Sequence, residues 1–219
     1  MGNPSGPWST RHALIVVDVQ NDFADPAGSL SVPGGDAILP AINAAVDAAR
    51  AAGSLVIYTQ DWHPARTPHF AIDGGVWPVH CVAGTWGAAF HPALRPDPDA
   101  VIRKGAQGED GYSGFTVRDP STGATVPTPL DKLLHEHEIT KVTICGLATD
   151  YCVKATALDA ATLGYRTALL AAAIAAVDLQ RGDGERAVAE MVAAGITVEG
   201  TAQRATHDRR RDPPPPHES

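Results

Sequence analysis

The chain has 219 residues, a length that fits one domain large enough to bury a substantial core. Its net charge of −8, without a basic stripe, argues against nucleic acid as a partner, and no apolar stretch approaches the roughly twenty residues of a membrane span. Three cysteines, an odd number, and the lack of a secretory signal predict reduced thiols and a cytoplasmic protein.

Strands and helices are predicted to alternate along the central part of the chain. In chain order, apolar runs predict strands at residues 13–19, 55–59, 100–103, 142–147, 167–172 and 196–199. Helical patterns occur at residues 37–52, 130–136, 150–163 and 184–194. This alternation predicts a three-layer α/β/α fold around a doubly wound, mostly parallel, six-stranded sheet.

The two ends of the chain are expected to lie outside this domain. Residues 1–11 are polar and predict a flexible leader, and residues 12–203 predict one domain. Residues 204–219 contain an arginine run and four consecutive prolines, which predict a disordered tail. Within the domain, residues 63–99 form an unusually long connection rich in Trp, Pro, Gly and His, and long ordered loops of this kind are usually functional.

Three reactive side chains follow predicted buried strands at their carboxyl ends. Asp18 follows the first strand, Lys104 the third, and Cys152 comes shortly after the fourth. Open parallel sheets bind their ligands at that edge, so a base, a cation and a nucleophile are expected to meet there. Because Cys152 would begin a helix near a lysine, we expect its thiol pKa to be lowered.

A carboxylate and three imidazoles form a second candidate site. Asp61 and His63 are two residues apart at the end of a predicted strand, so their side chains point the same way. His69 and His80 follow in the long connection. Mixed oxygen and nitrogen ligands suit Zn, Fe or Mn, so the sequence predicts one divalent metal ion.

Four segments of the sequence resemble the isochorismatase-like cysteine hydrolases, over residues 13–199. They are Val17-Asp-Val-Gln-Asn-Asp-Phe23, Asp61-Trp-His-Pro64, Trp77-Pro-Val-His-Cys-Val-Ala-Gly84 and Gly146-Leu-Ala-Thr-Asp-Tyr-Cys152. The second and third are typical of the metal-binding nicotinamidase/pyrazinamidase branch. The resemblance implies an amidohydrolase that converts nicotinamide, and pyrazinamide, to the acid and ammonia through a cysteine thioester.

The resemblance also implies roles for the reactive residues. Asp18 would take the proton of the Cys152 thiol, and Lys104 would hold the Asp18 carboxylate. The N–H groups of Ala148 and Cys152 would form the oxyanion hole, beside a cis peptide bond between Leu147 and Ala148.

The same resemblance assigns the metal ligands and the pocket. Asp61, His63 and His80 would bind the ion, with His69 as a fourth ligand, and the ion would position the pyridine ring nitrogen. The substrate pocket would be lined by Phe23, Leu30, Trp77, Tyr112, Leu147 and Tyr151. Tyr151 differs from the histidine that some relatives carry before the nucleophile, which leaves the pocket shape open.

Three alternatives remain open from the sequence. A related amidase could act on another small amide or carbamoyl compound, although those branches generally lack the Asp61, His63 and His80 ligands. A metallohydrolase could use metal-bound water as its nucleophile, and a non-catalytic binding module could share the scaffold. The expected partner is a small molecule, with no nucleic acid or membrane, and a homo-oligomer is possible.

Overall fold

A computed structural model of the chain describes residues 8–200. Its strands, numbered in chain order from β1 to β8, are His12–Val17, Leu55–Asp61, Ala100–Lys104, Thr116–Arg118, Thr125–Pro127, Lys141–Leu147, Arg166–Ala175 and Thr197–Glu199. Its α-helices, α1 to α5, are Asn21–Ala24, Leu39–Ala51, Leu130–Glu136, Lys154–Thr162 and Asp183–Ala193. A 3₁₀ turn covers Ala71–Asp73, and a π-helical turn, Thr149–Val153, leads directly into α4.

Six strands form one sheet in the order β3-β2-β1-β6-β7-β8, and all neighbouring pairs are parallel. The predicted sheet is therefore confirmed. From β1 the chain adds β2 and β3 on one side of the sheet and then returns to add β6, β7 and β8 on the other side. The carboxyl ends of β1 and β6 therefore flank the point where such folds bind ligands.

Helices cover both faces of the sheet. Every residue of β1 is buried, as expected for a central parallel strand covered on both sides. Leu14 and Val16 pack into the core under α2, whereas Ala13, Ile15 and Val17 pack into the opposite core. That second core receives residues from α3, α4 and α5. The three layers are thus α1 and α2, the sheet, and α3, α4 and α5.

The structure contains short elements that the sequence did not predict. Helix α1 follows β1 after three residues, and the antiparallel hairpin of β4 and β5 stands apart from the main sheet. The predicted helix at residues 150–163 begins as the π-helical turn. No helix within residues 8–200 has the length and apolar character needed to cross a bilayer.

The described residues that precede β1 contact the domain. The Trp8 ring stacks on His12 with centroids 4.3 Å apart, and the Ser9 N–H donates to the Ser54 hydroxyl at 3.1 Å. Trp8 and Ser9 fall in the predicted leader, residues 1–11. Residues 1–7 of this leader and the predicted tail, 204–219, lie outside the described residues. The domain boundaries at 12 and 203 stay predictions.

Gly146 in β6 lets two central strands approach closely. Its φ is 112°, and a Cβ there would overlap the backbone carbonyl of Val17 in β1. Gly123, in an exposed turn, also has a positive φ, of 72°, but an added Cβ would meet nothing within 4 Å.

Alanine substitutions at these two glycines distinguish the cost of backbone strain from the cost of steric overlap. We expect Gly123→Ala to lower the free energy of unfolding by about 1–2 kcal/mol, the cost of a left-handed alanine. Gly146→Ala adds overpacking and should cost a further ~1–3 kcal/mol. Urea unfolding of both variants measures the difference, and equal losses would show that the strands separate freely at this point.

Candidate active site

The carboxyl ends of neighbouring strands bring the predicted reactive residues together. Asp18 follows β1, Asp61 ends β2, Lys104 ends β3, and Cys152 lies in the π-helical turn after β6. Asp61 and Lys104 are register partners, so their side chains leave the sheet side by side. The parallel topology therefore gathers residues separated by more than a hundred positions in the sequence.

Lys104 contacts both other members of the predicted catalytic group. Its Nζ donates to Asp18 Oδ2 at 2.8 Å and lies 3.5 Å from Cys152 Sγ. A third contact reaches the carbonyl oxygen of Tyr112 at 3.2 Å. Lys104 is 1% exposed and Asp18 is fully buried, so this ion pair is shielded from water.

Thr59 holds the other oxygen of Asp18. The Thr59 hydroxyl donates to Asp18 Oδ1 at 2.6 Å and accepts the Asp18 N–H at 3.2 Å. Asp18 adopts a φ of 49°, a left-handed conformation that is uncommon outside glycine, and this two-way contact supports it. The sequence analysis missed Thr59, because a threonine within a strand carries no local signal of such a partner.

The protonation states of the three groups follow from burial and from one another. Burial raises the pKa of Asp18, against the lowering effect of Lys104. Burial would lower the pKa of Lys104, but Asp18 and Asp61 outweigh it and raise that pKa well above its usual value. The site therefore holds a lysine cation close to a carboxylate that has an increased affinity for protons.

The expected lowering of the Cys152 pKa is wrong. Burial raises the pKa of this thiol well above its usual value, and Asp18 and Asp61 add to the effect while Lys104 opposes it. The start of a helix and one lysine do not compensate for burial beside two carboxylates. The raised pKa favours the protonated thiol, so Cys152 could act as a nucleophile only with a base within reach.

The second predicted group also assembles. Donor atoms of His63, His69 and His80 lie within 4.8 Å of one another. Asp61 Oδ2 lies 3.8 Å from His63 Nε2 and 4.0 Å from His80 Nε2, distances too long for hydrogen bonds. Burial lowers the pKa of His80 to about 4, so its imidazole is neutral and offers a lone pair.

Unpaired buried atoms show that this group fits a cation. Among the buried side-chain atoms of the described residues that lack a hydrogen-bond partner are both ring nitrogens of His63. Asp61 Oδ1 forms an ion pair with Lys104 Nζ at 2.8 Å, which leaves Asp61 Oδ2 facing the histidines. Buried polar atoms are rarely left unpaired, and a carboxylate with neutral imidazoles matches the ligands of Zn, Fe or Mn.

Side chains outside the predicted set hold these ligands in place. Gln20 Nε2 donates to the Asp61 carbonyl at 2.7 Å, and the Asp61 N–H donates back to Gln20 Oε1 at 2.7 Å. Gly105 lies against the His63 ring, which a Cβ would overlap. His69 Nδ1 lies 2.8 Å from Asp110 Oδ1. The sequence analysis assigned no role to these residues, whose partners lie far away in the chain.

A cavity opens between the two groups. All six residues predicted for the pocket line it, together with Val32, Gly111 and Val177. Trp77 Nε1 donates to the Tyr112 hydroxyl at 3.0 Å, and the Tyr151 ring meets Trp77 edge to face at 5.0 Å. Asp61, His69, His80 and Cys152 also face the cavity, which therefore suits a small flat molecule.

The predicted oxyanion hole lies at the same cavity. Ala148 and Cys152 both line it, and the peptide bond between Leu147 and Ala148 is cis, as the family resemblance implied. The assignment of their N–H groups as donors stays a prediction.

Known proteins resemble this chain over most of its length. The isochorismatase domain family matches residues 12–203. The nicotinamidase of Escherichia coli (strain K12) is 40% identical over 203 residues, which are 85% of this chain and 93% of that protein. The crystal structure of the pyrazinamidase of Pyrococcus horikoshii in complex with zinc is 41% identical, with a TM-score of 0.76 over 86% of this chain and 98% of that one. The crystal structure of PnC1 from L. infantum in complex with nicotinate is also 41% identical, with a TM-score of 0.78, and the match covers 86% of this chain and 92% of that one.

The contact between Thr59 and Asp18 yields a stability prediction. Thr59→Val keeps the shape of the side chain but leaves a buried carboxylate oxygen without its donor, so the free energy of unfolding should fall by about 1–3 kcal/mol. Thr59→Ser keeps the hydroxyl and should lose only about 0.8 kcal/mol, for one methyl group. Denaturant unfolding compares the two variants, and a valine variant as stable as the serine variant would contradict the assigned contact.

Proposed function

The chain belongs to the isochorismatase family, and we propose that it is a nicotinamidase-type amidase that hydrolyses nicotinamide, and pyrazinamide, to the acid and ammonia. One observation carries this proposal. Lys104 Nζ joins Asp18, at 2.8 Å, to Cys152, at 3.5 Å, at a cavity that also exposes the Asp61 and histidine cluster. A nucleophile, its base and a site for a ring nitrogen thus surround the same small space.

Attack on the amide begins with a proton transfer. Asp18, one of whose carboxylate oxygens lies within 4.8 Å of the Cys152 sulfur, takes the thiol proton. The sulfur then forms a bond to the carboxamide carbon. Burial raises the pKa values of both groups, so the carboxylate that receives the proton has an increased affinity for it. Lys104 stays charged throughout and stabilises the negative charge, whether it resides on the carboxylate or on the sulfur.

Two further steps complete the reaction. The N–H groups of Ala148 and Cys152 stabilise the oxyanion, and Asp18 hands its proton to the amide nitrogen, so the C–N bond breaks and ammonia leaves. A thioester on Cys152 remains. Water, deprotonated by Asp18, then attacks the thioester carbon. The C–S bond breaks, Asp18 returns the proton to the sulfur, and the acid leaves while the Cys152 thiol is regenerated.

Asp61, His63, His80 and His69 would hold a divalent ion, for which Zn, Fe and Mn are the candidates. Such an ion would bind the ring nitrogen and so direct the carboxamide toward the thiol.

The character of the cavity supports a neutral aromatic substrate. Its described lining includes the rings of Phe23, Trp77, Tyr112 and Tyr151 and contains no arginine or lysine. The alternative substrate is another small amide or carbamoyl compound, and one that carried a carboxylate would find no side-chain cation in this lining. An ammonia-release assay on a panel of small amides tests this preference.

We also propose a role in pyridine nucleotide salvage in the cytoplasm, consistent with three free thiols.

Cys152→Ala tests the covalent mechanism. Nicotinamide turnover should fall by more than about 10⁴-fold, because the nucleophile is lost while the fold remains. Cys145→Ala removes a buried thiol from the opposite core and should retain turnover, which makes it the matched control. Mass spectrometry of quenched wild-type enzyme should show an acyl adduct on Cys152. Undiminished activity of Cys152→Ala would instead favour metal-bound water as the nucleophile.

Metal removal tests the role of the histidine cluster. The ratio of nicotinamide to benzamide turnover should fall at least about tenfold after chelation, because benzamide lacks the ring nitrogen and gains nothing from its positioning. His63→Ala should have the same effect, whereas His137→Ala, which replaces an exposed histidine, should not. A ratio that chelation leaves unchanged would contradict the positioning role.

A further inference from the structure

His69 differs from the other candidate ligands in how it is anchored. It lies in the long connection, outside every strand and helix. Its main-chain N–H donates to the Thr67 hydroxyl at 3.3 Å, and its carbonyl accepts the Trp77 N–H at 3.4 Å, both within the same connection. Its side chain is nevertheless only 7% exposed, and its ring stacks on His63 with centroids 4.8 Å apart. Something other than secondary structure must therefore fix this ring.

Asp110 supplies that contact from a different loop. Its Oδ1 lies 2.8 Å from His69 Nδ1. A carboxylate that already receives other hydrogen bonds acts as an acceptor, so His69 Nδ1 carries the hydrogen and Nε2 keeps its lone pair. His80 shows the same arrangement, because its Nδ1 lies 2.7 Å from the Pro78 carbonyl, which can only accept. Its Nε2 is the nitrogen that faces Asp61.

Asp110 is itself held at several points. The Gly111 N–H donates to Oδ1 at 2.8 Å, and Arg118 Nη2 donates to Oδ2 at 2.6 Å. The backbones of Asp110 and Arg118 also exchange two hydrogen bonds, of 2.8 and 2.6 Å. Because Arg118 ends β4, the hairpin of β4 and β5 fixes the carboxylate on which the orientation of His69 depends.

We propose that Asp110 is a positioning residue for the metal centre. It holds His69 in the tautomer and orientation in which Nε2 acts as a ligand, and Arg118 and the β4–β5 hairpin act through it. This inference rests on the proposed metal site of Asp61, His63, His69 and His80. It assigns a function to a hairpin that otherwise stands outside the sheet. Acceptors behind ligand histidines commonly change metal affinity by about 10–100-fold when they are removed.

Zn²⁺ binding by the full chain, measured by competition with a chromophoric chelator, tests the proposal. Asp110→Ala should bind Zn²⁺ about 10–100-fold more weakly than wild type. Asp110→Asn should have a Zn²⁺ affinity between those of wild type and Asp110→Ala, because an amide oxygen still accepts the His69 Nδ1 hydrogen but carries no charge. Arg118→Ala should cause a smaller loss than Asp110→Ala. Glu109→Ala is the matched control, because it removes a carboxylate one residue away that accepts a hydrogen bond from the Gln107 N–H. This variant should bind Zn²⁺ as tightly as wild type.

A second readout is independent of bound metal. Long-range ¹H–¹⁵N spectra of the metal-free protein report the tautomer of each imidazole, and His69→Ala identifies the His69 signals. Wild type should show hydrogen on Nδ1, and Asp110→Ala should lose this preference while its circular dichroism spectrum remains that of the wild type.

The outcomes separate the two proposals. If His63→Ala loses Zn²⁺ binding but Asp110→Ala binds like wild type, the positioning role of Asp110 is overturned and the metal site stands. If wild type fails to bind Zn²⁺, Fe²⁺ or Mn²⁺, the metal site and this inference both fall, while nicotinamide hydrolysis through Cys152 is judged by its own assay. An unchanged His69 tautomer in Asp110→Ala also overturns the inference.

Discussion

A single buried cation, Lys104, connects the two halves of the site. Its Nζ lies 2.8 Å from a carboxylate oxygen of Asp18 and 2.8 Å from one of Asp61, and all three side chains are nearly inaccessible to solvent. Two carboxylates this close would repel each other strongly in the interior, and Asp61 raises the pKa of Asp18. Lys104 offsets both charges at once. Without it, the base for Cys152 and the carboxylate of the histidine cluster could not both be buried at the same edge of the sheet.

The fold makes this arrangement possible because parallel strands end together. Residues from β1, β2 and β3 meet at one edge, and Cys152 arrives across the reversal between β1 and β6. Gly146 lets these two strands approach closely, one residue before the peptide segment that leads into the π-helical turn. The position of the nucleophile relative to its base is therefore a property of the sheet, whereas the substrate pocket depends on loops.

Sequence patterns predicted the features that depend on short segments. Apolar runs that end at Asp18 and Lys104, and one that ends shortly before Cys152, each predicted a buried strand. The polar residue after each run marked the carboxyl end of that strand as a candidate site. The β4–β5 hairpin escaped prediction because each strand has three residues, and one of them ends in proline. The direction of the Cys152 pKa shift was also wrong, since burial beside Asp18 and Asp61 is a tertiary property.

The long connection of residues 63–99 has little regular structure, and side chains from elsewhere take over the role of secondary structure there. Gln20 holds the backbone of Asp61, Asp22 accepts the N–H groups of Ser29 at 3.0 Å and Cys81 at 2.7 Å, and Asp110 holds the ring of His69. Gln20 and Asp22 belong to the segment after β1, so the same stretch of chain that supplies the proposed base, Asp18, also fixes the proposed metal ligand Asp61 and the loops around the pocket. The proton-transfer residues and the proposed metal site are thus aligned through shared supports, and a displacement of either would shift the substrate ring relative to the thiol.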